Sequence, residues 1–181
     1  MDARPIDPPR AWLAVRGEIA TLLDEVDEVS FTAVVDELRG NRRWFTTGQG
    51  RSGLVAEMAA MRLMHLGRDV HVLGEATARS VRPEDGLLVI SGSGETPVSL
   101  HFARRARDIG ARTLAVTGET GSTLGSLADV VLGVPRQVTR QFGGSLFEQG
   151  ALLVLDSVVM ALAAEHNGAY EQMRARHTNM Q

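Results

Sequence analysis

Apolar positions recur at helical spacing along the first 40 residues: Trp12, Val15, Ile19, Leu22, Leu23 and Val26 share one face. Phe31, Val34, Val35 and Leu38 mark a second helix, with Ser30 as its expected cap and Gly40 as its stop. From residue 43 the pattern changes to short apolar runs: Trp44–Thr47, Val70–Leu73, Leu87–Ile90, Thr113–Thr117 and Val130–Val134. Helical stretches near 53–66, 97–109 and 123–128 separate most of them. Such alternation predicts an α/β domain whose parallel sheet is covered on both faces. The connection over 75–86 carries Pro83 and reads as a loop or a short helix.

The last third is helical again. From Ser145 to about Glu165 the chain is apolar nearly all round, which predicts a buried helix. A single sheet leaves little room to surround it, so a subunit interface is favoured over the core. Asn167 and Gly168 look like its stop, and a last helix over 169–176 leads to His177. The 181 residues suit one domain: N-terminal helices over 1–40, an α/β core over 43–135 and C-terminal helices over 143–177.

Composition removes chemistries. All 19 basic residues are arginine, and there is no lysine and no cysteine. A Schiff-base lysine, a Walker A lysine, a thiolate nucleophile and a thiolate zinc site are therefore excluded. No pair of the five histidines has metal spacing. No charge-free run exceeds nine residues, well short of the roughly 20 apolar residues of a membrane span. The first ten residues lack the apolar stretch of a signal peptide, so a cytoplasmic protein with no membrane partner is expected. A formal charge of −3 and 4% aromatic residues argue against a nucleic-acid partner.

Two loops carry candidate chemistry. Gly48-Gln49-Gly50-Arg51-Ser52-Gly53, between a strand and a helix, matches the dinucleotide G-x-G-x-x-G pattern, and Glu75 follows the next strand, where a ribose ligand is expected. Any tight β–α turn also uses glycine, so this motif alone is open. Ser91-Gly92-Ser93-Gly94-Glu95-Thr96 follows the third strand, and Thr96-Pro97 reads as the N-cap and first residue of a helix. Three hydroxyls and two glycines before a helix N-terminus have the composition of a phosphate cradle without lysine. The bland alternative is a serine-rich turn with a capping threonine. After the fourth strand, Ser122 reads as a helix cap.

Glu148 stands three residues after Ser145, at capping-box spacing. A carboxylate on the first turn of a rigid helix is equally suited to be a general base. His65, His71, His101 and His166 read as ordinary helix or strand residues, and His177 as a solvated tail residue.

Gly50-Arg51-Ser52-Gly53, Ala60 to Gly67, Ser91 to Thr96, Gly144 to Gln149 and Arg176-His177, in that order over about 46–179, resemble the sugar isomerase (SIS) domain family. Within it they resemble the 6-phospho-3-hexuloisomerase branch. Thr178-Asn179-Met180-Gln181 departs from the branch's usual Ala-Asn-Leu-Glu ending. The resemblance implies a five-stranded parallel sheet in flavodoxin-like order, a homo-oligomer (commonly a tetramer) and a phosphosugar substrate handled without metal or cofactor. It also implies that Ser91, Ser93 and Thr96 bind the sugar phosphate and that Gly50, Arg51 and Ser52 contact the sugar or its phosphate. Glu148 would be the catalytic base, and His177 would assist proton movement, in its own or a neighbouring subunit's site. The implied reaction interconverts 3-hexulose 6-phosphate and fructose 6-phosphate through a cis-enediol(ate). Three readings compete with it: an isomerase for another phosphosugar, a non-catalytic sugar-phosphate sensor and a dinucleotide-binding oxidoreductase.

Overall fold

The computed structural model describes residues 8–180. After a short 3₁₀ turn, α1 (Ala11–Asp24) and α2 (Glu28–Arg39) lead into β1 (Trp44–Gly48), α3 (Arg51–His65) and β2 (Val70–Val72). Then follow β3 (Gly86–Ser91), α4 (Pro97–Ile109), β4 (Arg112–Thr117), α5 (Thr123–Leu127) and β5 (Val130–Gly133). Two helices, α6 (Ser145–Ala164) and α7 (Ala169–Arg176), close the chain. The strands form one sheet in the order β2-β1-β3-β4-β5, and every pairing is parallel. This is the flavodoxin-like order, and the order reverses between β1 and β3, where open α/β sheets bind their ligands at the C-terminal strand ends.

Period-two alternation sorts the strand residues between two cores. Leu88, Ile90, Leu114, Val116 and Leu132 face the side covered by α1, α2, α3 and α6. Phe45, Leu87, Val89 and Ala115 face the side covered by α4 and α5, with Leu100, Ala103 and Leu124. Strands buried on both faces read as continuous apolar runs, which is why the sequence pattern located them within a residue or two.

Several expectations change. Asp27, not Ser30, caps α2: its carboxylate accepts from Ser30 N–H at 2.7 Å. Of the two readings of the 75–86 connection the loop holds, anchored by the Arg43–Asp85 pair at 2.6 Å and by Arg82 N–H donating to Asp85. Helix α6 ends at Ala164, and Gly168, at φ +75°, instead starts α7. Helix α6 also finds its cover within the chain. Phe147, Ala151, Val154, Leu155, Val158 and Leu162 are buried among α1, α2 and α3, because the two N-terminal helices supply the room that a bare sheet lacks. Leu153 and Met160 remain exposed, the latter by 61%. By length and composition α6 is the one helix among the described residues that could span a membrane, and its packing against α1, α2 and α3 accounts for that character equally well.

Candidate active site

A cleft of about 320 Å³ opens at the C-terminal ends of the strands, lined on one side by Ser52, Gly92 and Ser93 and on another by Phe147 and Glu148. The irregular segment between β5 and α6 supplies its outer wall through Arg136, Gln137 and Thr139.

Local sequence explains each placement. Gly50 adopts φ +58° and ψ −131° as the N-cap of α3, a conformation that favours glycine. Gly48 has no room for a side chain: a Cβ would lie 2.5 Å from the carbonyl oxygen of Ser52. The turn therefore closes tightly and starts α3 at Arg51, two residues earlier than the periodicity predicts. Arg51 Nε then donates to Glu148 Oε2 at 2.5 Å, across 97 residues of sequence. The Arg51 side chain is 60% exposed and that of Glu148 14%, so the pair joins a rim cation to a carboxylate set back in the cleft.

The capping box does not form. Gly144 occupies the N-cap of α6, and the Ser145 hydroxyl donates to Phe142 carbonyl oxygen at 2.8 Å. The Glu148 carboxylate is thus committed to the Arg51 guanidinium rather than to a backbone N–H.

The serine loop is a bonded unit. Ser91 is buried, and its Oγ lies 3.1 Å from Thr96 Oγ1. Thr96 sits at the N-cap of α4, but its side chain makes no cap bond, so the expected capping role passes to position alone. Ser93 is exposed; its Oγ accepts from Glu95 N–H at 3.1 Å, which leaves the hydroxyl proton free to donate. Gly94 takes φ +65°, and a Cβ there would fall 1.9 Å from Ser122 Oγ, so only glycine lets this loop seat against α5. Glu95 Oε1 accepts from Thr123 N–H at 2.6 Å, and this bond holds its carboxyl below the ordinary glutamate range. Ser122 caps α5 as expected, accepting from Gly125 N–H. The Ser93 hydroxyl lines the cleft, and the N-terminus of α4 follows it three residues on, an end of a helix that attracts anions.

Of the residues singled out in the sequence, Ser52, Ser93 and Glu148 line the cleft, and Arg51 joins it through Glu148; Gly50, Ser91 and Thr96 are not among its lining residues, and Ser91 and Thr96 bond to each other. His177 does not join them within one chain. Its ring stacks on His65 at 5.2 Å between centroids, at the opposite end of α3. Arg51, the partner of Glu148, and His65, the partner of His177, lie at opposite ends of α3, 14 residue steps or roughly 20 Å apart along the helix. Burial, with His177 and Arg62 nearby, pushes the His65 imidazole below its ordinary range. Glu75 is exposed beyond β2 and is not among the cleft residues. Among the described residues no three His, Asp or Glu side chains gather as metal ligands would. Arg136, Gln137 and Thr139 also line the cleft, and no sequence signal marks them, because an irregular segment has no periodicity to read.

Comparison with known proteins gives these features a context. Residues 37–148 match the model of the SIS domain. A 3-hexulose-6-phosphate isomerase of Mycobacterium gastri is 38% identical over 175 residues, which cover 92% of this chain and 88% of that protein. Proteins of the same name from other organisms match as well. A crystal structure from Methanococcus jannaschii, for which a function of 3-hexulose-6-phosphate isomerase was inferred, superposes with a TM-score of 0.85 at 30% identity, covering 95% of this chain and 99% of that one. The Vibrio vulnificus NanR protein complexed with ManNAc-6P shares the fold: its TM-score is 0.77 at 21% identity, over 93% of this chain and 66% of that one.

Proposed function

The chain belongs to the SIS domain family, closely related to the 3-hexulose-6-phosphate isomerases of several organisms, and from its site we propose that it interconverts 3-hexulose 6-phosphate and fructose 6-phosphate. The observation that carries this reading is the Glu148 carboxylate set back in a cleft whose other side is the serine loop. A general base and a phosphate anchor separated by a small cleft are what an open-chain sugar phosphate requires.

In this mechanism Glu148 removes the proton from C2 of the 3-ketose. The electron pair forms the C2–C3 double bond of a cis-enediol(ate), and the carbonyl oxygen at C3 takes up the negative charge. Return of the proton to C3, with transfer of the C2 hydroxyl proton to the C3 oxygen, leaves a hydroxyl at C3 and the carbonyl at C2. One carboxylate serves both carbons because they are adjacent. Arg51 holds the carboxylate through Nε, and its terminal N–H groups are available to the developing oxyanion. Ser93 and the α4 N–H groups bind the phosphate, which orients the reacting carbons without taking part in bond changes. His177, far from Glu148 in its own chain, acts in a neighbouring subunit's site to relay the oxygen protons, which makes the functional unit a homo-oligomer. The site uses no cofactor in this reading, and its setting is cytoplasmic.

The test is Glu148→Gln. Turnover should fall by about 10²-fold or more, the scale of acid–base catalysis, while fructose 6-phosphate binding persists. Near-normal turnover would remove Glu148 from the chemistry. A sensor reading has support in the 28% identity to an HTH-type transcriptional regulator of Thermotoga maritima over 86% of this chain. It predicts binding of the sugar phosphate with no exchange of its C–H proton into deuterated water, whereas an isomerase exchanges it.

A further inference from the structure

Residues 134–144 form a strap that leaves β5, crosses the mouth of the cleft and enters α6 without helix or strand. Apolar burial does not hold its middle: Val138 is 78% exposed and Phe142 95%. The Arg136–Glu119 pair, at 3.4 Å, is exposed on both sides and contributes little. The strap is instead gathered by one carboxylate from the far end of the chain. Glu18, on α1, accepts from Thr139 Oγ1 at 2.7 Å, from Arg140 N–H at 2.9 Å and from Gln141 Nε2 at 3.0 Å. Thr139 Oγ1 in turn accepts from Gln141 N–H at 3.0 Å. Three donors meeting two carboxylate oxygens are charge-assisted bonds, stronger than neutral ones.

We propose that Glu18 is a positioning residue for substrate binding, its carboxylate fixing the strap that presents Gln137 and Thr139 to the phosphosugar. Thr139 is both a cleft residue and a direct partner of Glu18, so the link from α1 to the site is one hydrogen bond long. Without the carboxylate, three strap donors lose their acceptor together. The strap then samples open positions, and each binding event must order it at a cost in affinity. The chemistry at Glu148 is untouched, because Glu148 stands on α6 and takes its orientation from Arg51. Helix α1 thereby acquires a role that its sequence position, more than 120 residues away, does not suggest.

The inference rests on the functional reading above, and the experiment separates the two. Full-length Glu18→Ala, Glu18→Gln and Thr139→Val are compared with the unaltered protein for fructose 6-phosphate affinity, isomerisation kinetics and tryptic cleavage at Arg136 and Arg140. Glu18→Ala should raise KM and the fructose 6-phosphate Kd about tenfold, with kcat within about threefold, the pattern of lost uniform binding. Glu18→Gln, which keeps one acceptor, should fall between, and Thr139→Val should raise KM about threefold while leaving the fold intact. Strap cleavage should quicken in the same order. Unchanged KM and Kd in Glu18→Ala overturn the proposal, as does faster strap cleavage with no change in affinity, or a loss confined to kcat. An unaltered protein that fails to bind fructose 6-phosphate overturns the functional reading and this inference together. Normal binding by the unaltered protein, with equal binding by Glu18→Ala, overturns this inference alone.

Discussion

The turn Gly48–Gly53 and the loop Ser91–Thr96 leave neighbouring strands of one sheet and each opens a helix, yet they are built on different principles. In the first, glycine supplies shape. Gly48 and Gly53 bring turn and helix backbones into contact, and Gly50 takes a conformation outside the usual range of other residues. Its working side chain is Arg51, which the turn delivers to Glu148. In the second, one glycine, Gly94, seats the loop against α5 and polar side chains tie the rest together: Ser91 with Thr96, Ser93 with Glu95 N–H, and Glu95 with Thr123 N–H. The first sequence fulfils the G-x-G-x-x-G pattern for reasons of packing. Its glycines serve an arginine and a carboxylate, so matching letters imply no dinucleotide by themselves.

Glycine substitutions should separate the two most sharply. Gly94→Ala drives a Cβ to 1.9 Å from Ser122 Oγ at a positive φ, and should cost about 3 kcal/mol or more and loosen the loop from α5. Gly50→Ala meets open space and bears conformational strain only, about 1–3 kcal/mol. Urea unfolding measures the stabilities, and a phosphosugar titration should show weakened binding for Gly94→Ala beyond that of Gly50→Ala. Equal costs with equal affinities would erase the distinction.

The working side chains should divide kinetically. Arg51→Ala should lower kcat about tenfold through a misplaced Glu148 and a lost oxyanion donor. Ser93→Ala should raise KM about fivefold with kcat nearly unchanged, since the phosphate lies away from the bond changes. A kcat defect in Ser93→Ala would contradict the phosphate assignment.

How much of this was legible in the sequence follows from the range of the interactions. Five apolar runs and their intervening helices are local signals, and the strands and α4 were located closely. Two loops at strand ends are equally local, and Ser52, Ser93 and Glu148 do line one cleft. The cap of α2 was misplaced because Asp27 and Ser30 are both good capping types, and only geometry shows which accepts the bond. The all-round apolar character of α6 points to a subunit contact, because sequence does not reveal that α1 and α2 fold back onto it. The Arg51–Glu148 pair and the Glu18 clamp join residues 97 and more than 120 positions apart, and no periodicity connects them. The strap residues Arg136, Gln137 and Thr139 carry no pattern at all. His177 was assigned by resemblance, and its place against His65 could not be read from spacing.

The smallest expected effect lies in the link between the serine loop and α5. Glu95 accepts from Thr123 N–H, and that bond holds its carboxyl below the ordinary glutamate range. A lowered folded pKa stabilises the ionised, bonded form. Its contribution is fully present above the unfolded value of about 4.3 and is lost as pH falls through the lower folded value. Glu95 is solvent-exposed, so screening keeps the contribution modest. Glu95→Gln should therefore reduce stability slightly at neutral pH, by an amount that shrinks as pH falls below about 4. KM should change by no more than about twofold, because Ser93 and the α4 N–H groups remain in place. Thermal melts of both proteins from neutral to acid pH measure the difference. A gap that stays constant with pH would mean that the carboxylate charge does not contribute to holding the two loops together, leaving Gly94 against Ser122 as their main contact.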